Sequence, residues 1–360
     1  MSLRSRLASA SLHLFEAAGE VIPLPKRTRA QQEALRFARA LQGYQLSMAI
    51  GAAAEMDLFR HLAEPRTLAE IAAYGRMPAA SAQVLLDALV AAGLAVQDGA
   101  GAFSISSTGR RHFLRDAWTF GRAATDLMLG SWNHWRDLAP ALRSGQGHPE
   151  LKVYNPENPL MGEYVRLTTA MLAAPARELI SRLDLSEAKR MICGTVGISF
   201  AAAVLKAHPE IGLTVSCLPR LIKELPAALR HFELPDPAEV IENSGEAEED
   251  RWGSSESYDL VFLARKFAFC GPEHGVSYLR KARRVVPPGG YVVLWEPFAD
   301  NFEVVPWMGA QIALVDAMLG EPHPLYRKED VAGFAREAGY PDVQIQDVAG
   351  GGVTFVVARN

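Results

Sequence analysis

Pro287-Pro288-Gly289-Gly290-Tyr291-Val292-Val293-Leu294-Trp295-Glu296 is the stretch whose reading decides the fold. Two prolines followed by two glycines make a turn. The apolar, β-branched and aromatic run after them is a strand over 290–296. Upstream, from about residue 188, further strands at 189–193, 212–216, 238–241 and 258–263 alternate with helical segments. That alternation implies a parallel sheet with crossover helices. Two late strands, 342–347 and 353–358, close the chain.

The chain has 360 residues, of which 49% are hydrophobic and 22% charged, with a formal net charge of -4. This is ordinary soluble-protein composition, long enough for two domains. The charge balance leaves no overall nucleic-acid footprint. No apolar run reaches the roughly 18 residues of a membrane span. The first 35 residues lack the apolar core and cleavage site of a signal peptide. The three cysteines, Cys193, Cys217 and Cys270, form no short-range framework. A reducing, cytoplasmic setting is therefore expected.

The N-terminal part reads as a small helical unit. Thr67-Leu68-Ala69-Glu70 is a capping box that opens a helix over 68–74. A second helix is expected over 79–92, stopped by Gly93. Strands at 94–97 and 102–106 flank the Asp98-Gly99-Ala100-Gly101 turn. Helix, turn, helix and hairpin make a winged helix. Its second helix carries no Arg or Lys, so it has nothing to hold phosphates. A helical connector follows, with Trp118, Trp132 and Trp135. The expected division is 1–115, 116–187 and 188–360.

With those segments read, the chain resembles the S-adenosylmethionine-dependent O-methyltransferases that carry an N-terminal winged-helix dimerisation domain. The nearest branch acts on carotenoids, tetrapyrroles and polyketides. The likeness runs from about 36 to 360. It is carried by Thr67-Leu68-Ala69-Glu70-Ile71-Ala72, Leu89-Val90-Ala91-Ala92-Gly93-Leu94, Ser107-Thr108-Gly109, Ala207-His208-Pro209, Leu218-Pro219, Arg283-Arg284-Val285-Val286-Pro287-Pro288-Gly289-Gly290, Glu296-Pro297, Arg327-Lys328-Glu329-Asp330 and Ala338-Gly339-Tyr340. The resemblance implies an α/β fold, an N-terminal α-helical winged-helix dimerisation domain plus a C-terminal Rossmann-like class I methyltransferase domain. It also implies a homodimer, and a connector that lines the pocket of a hydrophobic small-molecule substrate.

The chemistry-bearing positions depart from that family. Its first strand ends in an acid and a glycine-rich turn; here the stretch is Ile192-Cys193-Gly194-Thr195-Val196-Gly197. Gly194 and Gly197 are the glycines left for cofactor approach. The acid that grips the ribose hydroxyls is replaced by Cys217, which lacks paired acceptor oxygens. Glu246, after Gly245, stands where the resemblance places an adenine contact. The catalytic histidine slot holds Ala268, which cannot act as a base. Glu296 is retained.

All three cysteines fall at or beside strand ends, where open α/β sheets bind ligands. Three readings stay open: small buried filler residues, thiol chemistry such as a Cys193–Cys217 disulfide, or ligands of an iron–sulfur cluster or other thiolate-bound metal. The expectation taken forward is the last, with Cys193, Cys217 and Cys270 as ligands. His274, four residues after Cys270, is read with Glu296 as catalytic; its plainer reading is a solvent-facing histidine at a helix start. His134, in Trp132-Asn133-His134-Trp135, is either pocket wall or aromatic packing. The expected function is thus a diverged biosynthetic enzyme that binds S-adenosylmethionine weakly or not at all. It would act on a hydrophobic small molecule at a three-cysteine site. The alternatives are an O-methyltransferase with an atypical cofactor pocket and a non-catalytic partner subunit.

Overall fold

The computed structural model describes residues 29–116, 118–152, 155, 157–242, 252–253, 256–268, 271–302, 306–319, 325–348 and 352–360. The chain divides into two compact units between Arg115 and Asp116.

In the first unit the helix Leu68–Tyr74 is capped as its sequence requires. The Thr67 Oγ1 accepts the Glu70 N–H at 3.3 Å, and the Glu70 carboxylate accepts the Thr67 N–H at 2.7 Å. Helix Ala79–Ala91 follows, then the antiparallel pair β1 (Ala95–Gln97) and β2 (Phe103–Ile105). Leu58, Phe59, Ile71, Leu86, Leu89 and Phe103 form the core of this unit.

The second unit is built on seven strands: β3 (Arg190–Gly194), β4 (Gly212–Cys217), β5 (Glu239–Glu242), β6 (Leu260–Ala264), β7 (Tyr291–Trp295), β8 (Asp342–Val348) and β9 (Val353–Arg359). Their order is β5-β4-β3-β6-β7-β9-β8. The first five are parallel, and the β8–β9 hairpin adds antiparallel to β7. Side chains alternate between faces along each strand. Met191, Cys193, Leu213, Val215, Cys217 and Phe262 pack on one face, in a core shared with helices Met161–Ile180 and Ile198–Ala207. Ile192, Val261, Leu263, Val292 and Leu294 pack on the other, against helices Gly271–Val285 and Lys328–Glu337. The strand order reverses beside β3, so β4, β3 and β6 leave a crevice at their carboxyl ends, where open α/β sheets bind ligands.

Candidate active site

Two neighbouring cavities open above the carboxyl ends of these strands. The first lies over β3, β4 and β6 and is bounded by Gly194, Thr195, Ser216, Leu218, Trp252 and Leu263. Gly194 keeps part of it clear: an added Cβ would meet only the Ser216 carbonyl, at 3.8 Å. Gly197 is glycine for a different reason. A Cβ there would strike the Phe262 ring at 2.7 Å and the Cys193 Cβ at 2.8 Å. Trp252 is buried, and its Nε1 has no hydrogen-bond partner among the described residues. A buried indole N–H left unpaired is costly.

The second cavity, of about 300 Å³, is mainly apolar, with walls that include Phe120, Leu127, Met171, Trp295, Ile312 and Val315. Its size and lining suit a small apolar ligand. Tyr164 and Arg265 border both cavities.

Arg265 organises the charge between them. It follows β6 directly, with φ of 60°, a left-handed conformation that is strained for a residue with a Cβ. Its N–H is held by the Trp295 carbonyl at 3.0 Å. The guanidinium is buried; Nε donates to the Tyr164 hydroxyl at 2.7 Å. Another nitrogen donates to Asp316 Oδ1. A third lies 3.8 Å from Glu296 Oε2. Glu296 Oε1 accepts the Phe267 N–H at 3.0 Å. Burial pushes the Glu296 carboxyl up to about 7, with Arg265 and the Phe267 N–H pulling partly back. Burial likewise raises Asp316 to about 6 against the pull of Arg265. For Arg265 burial would favour the neutral form, but Asp316, Tyr164 and Glu296 more than offset it and keep it charged. Burial raises the Tyr164 hydroxyl far above its ordinary range, so it remains protonated. Ala268 and Tyr326 join Arg265, Glu296 and Asp316 around a third, small cavity.

The chain can be compared with known proteins on this geometry. No protein-family profile matches it. A polyketide 8-O-methyltransferase of tetracenomycin synthesis from Streptomyces glaucescens is 22% identical over 337 residues, covering 89% of this chain and 95% of the relative. The solved structure of PigF with S-adenosylhomocysteine superposes with a TM-score of 0.75 at 23% identity, over 94% of this chain and 100% of that one. Human N-acetylserotonin methyltransferase with S-adenosylmethionine gives 0.76 at 20% identity, over 94% and 99%. The mitomycin 7-O-methyltransferase MmcR gives 0.73 at 18%, over 93% and 100%. The chain therefore has the class I methyltransferase fold with an N-terminal helical domain. Its likeness to the S-adenosylmethionine-dependent O-methyltransferases, expected from the sequence motifs, is borne out across nearly its whole length.

The expectation of an iron–sulfur cluster or other thiolate-bound metal as the cofactor is overturned. Two of the structures that share this fold hold S-adenosylhomocysteine or S-adenosylmethionine, which points to that cofactor class rather than to an iron–sulfur cluster. The same finding runs against the expectation that S-adenosylmethionine binds weakly or not at all. The physical reason lies in strand alternation. Cys193 and Cys217 share the face that packs under helices, and both are buried free thiols. Burial pushes the Cys193 thiol up to about 12 and the Cys217 thiol to about 11, so both are neutral thiols near neutral pH in the absence of a metal. The Cys217 sulfur accepts the Thr195 hydroxyl at 3.2 Å and its thiol reaches the Leu218 carbonyl at 3.5 Å. Cys217 is thus satisfied within the protein.

The other expected residues divide. Cys270 and Glu246 lie outside the described residues. Cys193, Gly194 and Gly197 border the first cavity, and Glu296 borders the small third one. His274, in helix Gly271–Val285, packs on Tyr278 at 5.1 Å between ring centres and borders neither cavity. Sequence reasoning missed Tyr164, Trp252, Arg265 and Asp316. One signal was present: Asp316 is the single charge in Ile312-Ala313-Leu314-Val315-Asp316-Ala317-Met318-Leu319.

Proposed function

We propose that this protein is an S-adenosylmethionine-dependent O-methyltransferase of a biosynthetic pathway, acting on a hydroxyl of a hydrophobic small molecule. The observation that carries the reading is the Glu296–Arg265–Asp316 cluster, buried where the two cavities approach. The first cavity suits the cofactor: Gly194 leaves room, Ser216 and Leu218 offer backbone, and Trp252 brings an unpaired donor. S-adenosylmethionine held there by the Gly194–Thr195 turn and the Ser216–Leu218 backbone would supply an electrophilic methyl group for the substrate oxygen.

The protein's own part is to hold the substrate and take its proton. The apolar cavity excludes water around the acceptor ring. Glu296 Oε2 accepts the hydroxyl proton, in the place of the absent histidine. With its carboxyl near about 7, Glu296 can both take up and release a proton at neutral pH. Asp316 and Tyr164 anchor Arg265, and Arg265 limits the cost of the charged carboxylate. A second reading, a non-catalytic partner subunit, is favoured by Ala268 at the histidine slot alone.

A second copy of the chain is the proposed partner. Phe37, Leu41 and Tyr44 recur at helical spacing on helix Arg29–Glu55 and are 67%, 59% and 52% exposed. Among the described residues no helix is long and apolar enough to cross a membrane. Free buried thiols fit a reducing cytoplasm.

The test is calorimetric titration with S-adenosylmethionine, then assay of S-adenosylhomocysteine release with a panel of polycyclic phenols. Binding with turnover by the wild type and none by Glu296→Gln supports the reading. No binding at millimolar cofactor rejects it, and binding with no turnover on any acceptor favours the partner-subunit reading. Light scattering should give a dimer, which Leu41→Glu weakens.

A further inference from the structure

His134, His148 and Glu150 offer three ligand atoms that lie within 4.8 Å of one another. We propose that this cluster is a binding site for a divalent transition metal of the zinc class, bracing the wall of the apolar cavity. It shares no residue with the strand-end thiols.

The donor set is two imidazoles and one carboxylate, the combination that zinc and its neighbours accept with one position left for water. His134 Nε2 stands 3.2 Å from Glu150 Oε1, and His148 Nδ1 stands 3.7 Å from the same oxygen. Ligand atoms about 2.0–2.1 Å from a tetrahedral zinc are about 3.3 Å apart, so two edges are nearly formed and one closes on binding. A second observation points the same way. The remaining nitrogen of His148, Nε2, faces Asp137 Oδ2 at 3.6 Å. A carboxylate behind a ligating imidazole fixes its tautomer and orientation, the arrangement found behind metal-bound histidines. Glu150 and Asp137 bring two carboxylates to the pair of imidazoles, which suits a dication.

Burial is graded as a metal site requires. The side chains of His134 and His148 are 20% and 19% exposed, while that of Glu150 is 60% exposed and provides an entry side. The ligands come from two short segments, His134 from the 3₁₀ turn His134–Asp137, and His148 and Glu150 from the N-cap and first turn of Pro149–Leu151. The His148 N–H also bonds the Met318 carbonyl at 3.2 Å. Met318 belongs to helix Pro306–Leu319, which carries Ile312, Val315 and Asp316 into the apolar cavity. A metal here ties both segments together against that helix.

The test uses the full-length protein, stripped with a chelator and titrated with zinc chloride, with cobalt(II) as a spectroscopic probe and magnesium as a control. The expected result is one zinc per chain, a rise in melting temperature reversed by chelator, and cobalt absorption bands of nitrogen and oxygen ligation. His148→Gln and Glu150→Gln should each weaken binding at least tenfold. Their melting temperatures in chelator should match the wild type, which separates lost ligation from lost folding. Zinc binding unchanged in both variants, a cobalt–thiolate charge-transfer band, or no binding by the wild type at micromolar zinc would each overturn the site.

Discussion

The two halves of the sheet's carboxyl edge are equally buried and chemically opposite. On the β3–β4 side, Cys193 and Cys217 are 1% and 0% exposed, neutral, and satisfied by packing or by Thr195. On the β6–β7 side, Arg265, Glu296 and Asp316 are 5%, 3% and 2% exposed and ionisable, with Arg265 charged and the Glu296 carboxyl raised to about 7. A buried thiol costs little, because it behaves as a small apolar group. A buried ion cluster costs several kcal/mol per ion before its partners offset it. A fold keeps such an arrangement where the chemistry uses it, and perturbed carboxylates in a cleft are candidates for proton transfer. The difference is the physical basis for proposing proton transfer on the β6–β7 side, while the β3–β4 side offers neutral thiols beside the first cavity.

The comparison can be broken most severely at Arg265. Arg265→Met leaves two carboxylates buried without a cation and should destabilise the protein by about 3–5 kcal/mol in urea unfolding. Adding Glu296→Gln and Asp316→Asn to that variant should recover part of the loss. A loss of only a few tenths of a kcal/mol would mean that the cluster is not held by charge.

Glu296→Gln should lower turnover by about 10²–10⁴-fold while leaving the fold intact. The wild-type rate should rise with pH as Glu296 deprotonates around about 7, and the variant should lose that limb. Stability should move the other way. A carboxyl whose folded pKa is raised binds more protons when native than when unfolded, so its contribution is full below about 4.5 and is lost as pH rises through about 7. Thermal unfolding across that window checks the sign, and Glu296→Gln should flatten the slope.

The smallest effect belongs to the thiols. Cys217→Ala removes the partner of the Thr195 hydroxyl and should cost about 0.5–1.5 kcal/mol, with turnover nearly unchanged. A large loss of turnover would return a chemical role to that half of the edge and end the contrast.

Local signals made most of the fold legible. The Thr67–Glu70 capping box predicted the helix Leu68–Tyr74 to the residue. The sheet strands emerge within a residue or two of their expected bounds, because turn residues and apolar runs mark them in the chain itself. The site was less legible. Tyr164, Arg265, Glu296 and Asp316 are separated by up to 152 positions, and nothing local links them. The cysteines misled for a related reason. Cys193 and Cys217 do stand at the ends of β3 and β4 as expected, but a strand end does not say which way a side chain faces.

What the sequence determined by itself is the architecture: a capped helical unit, a parallel sheet closed by a hairpin, and the family likeness that runs through both. These follow from periodicity and turn chemistry, which act over a few residues. What only the tertiary structure decided is which residues share a low-dielectric interior. Strand alternation turned Cys193 and Cys217 into the apolar core, and the left-handed backbone at Arg265 accompanies a guanidinium buried between two carboxylates. Burial and charge pairing arise between distant segments, so they set the pKa values, and with them the chemistry, only after the chain has folded.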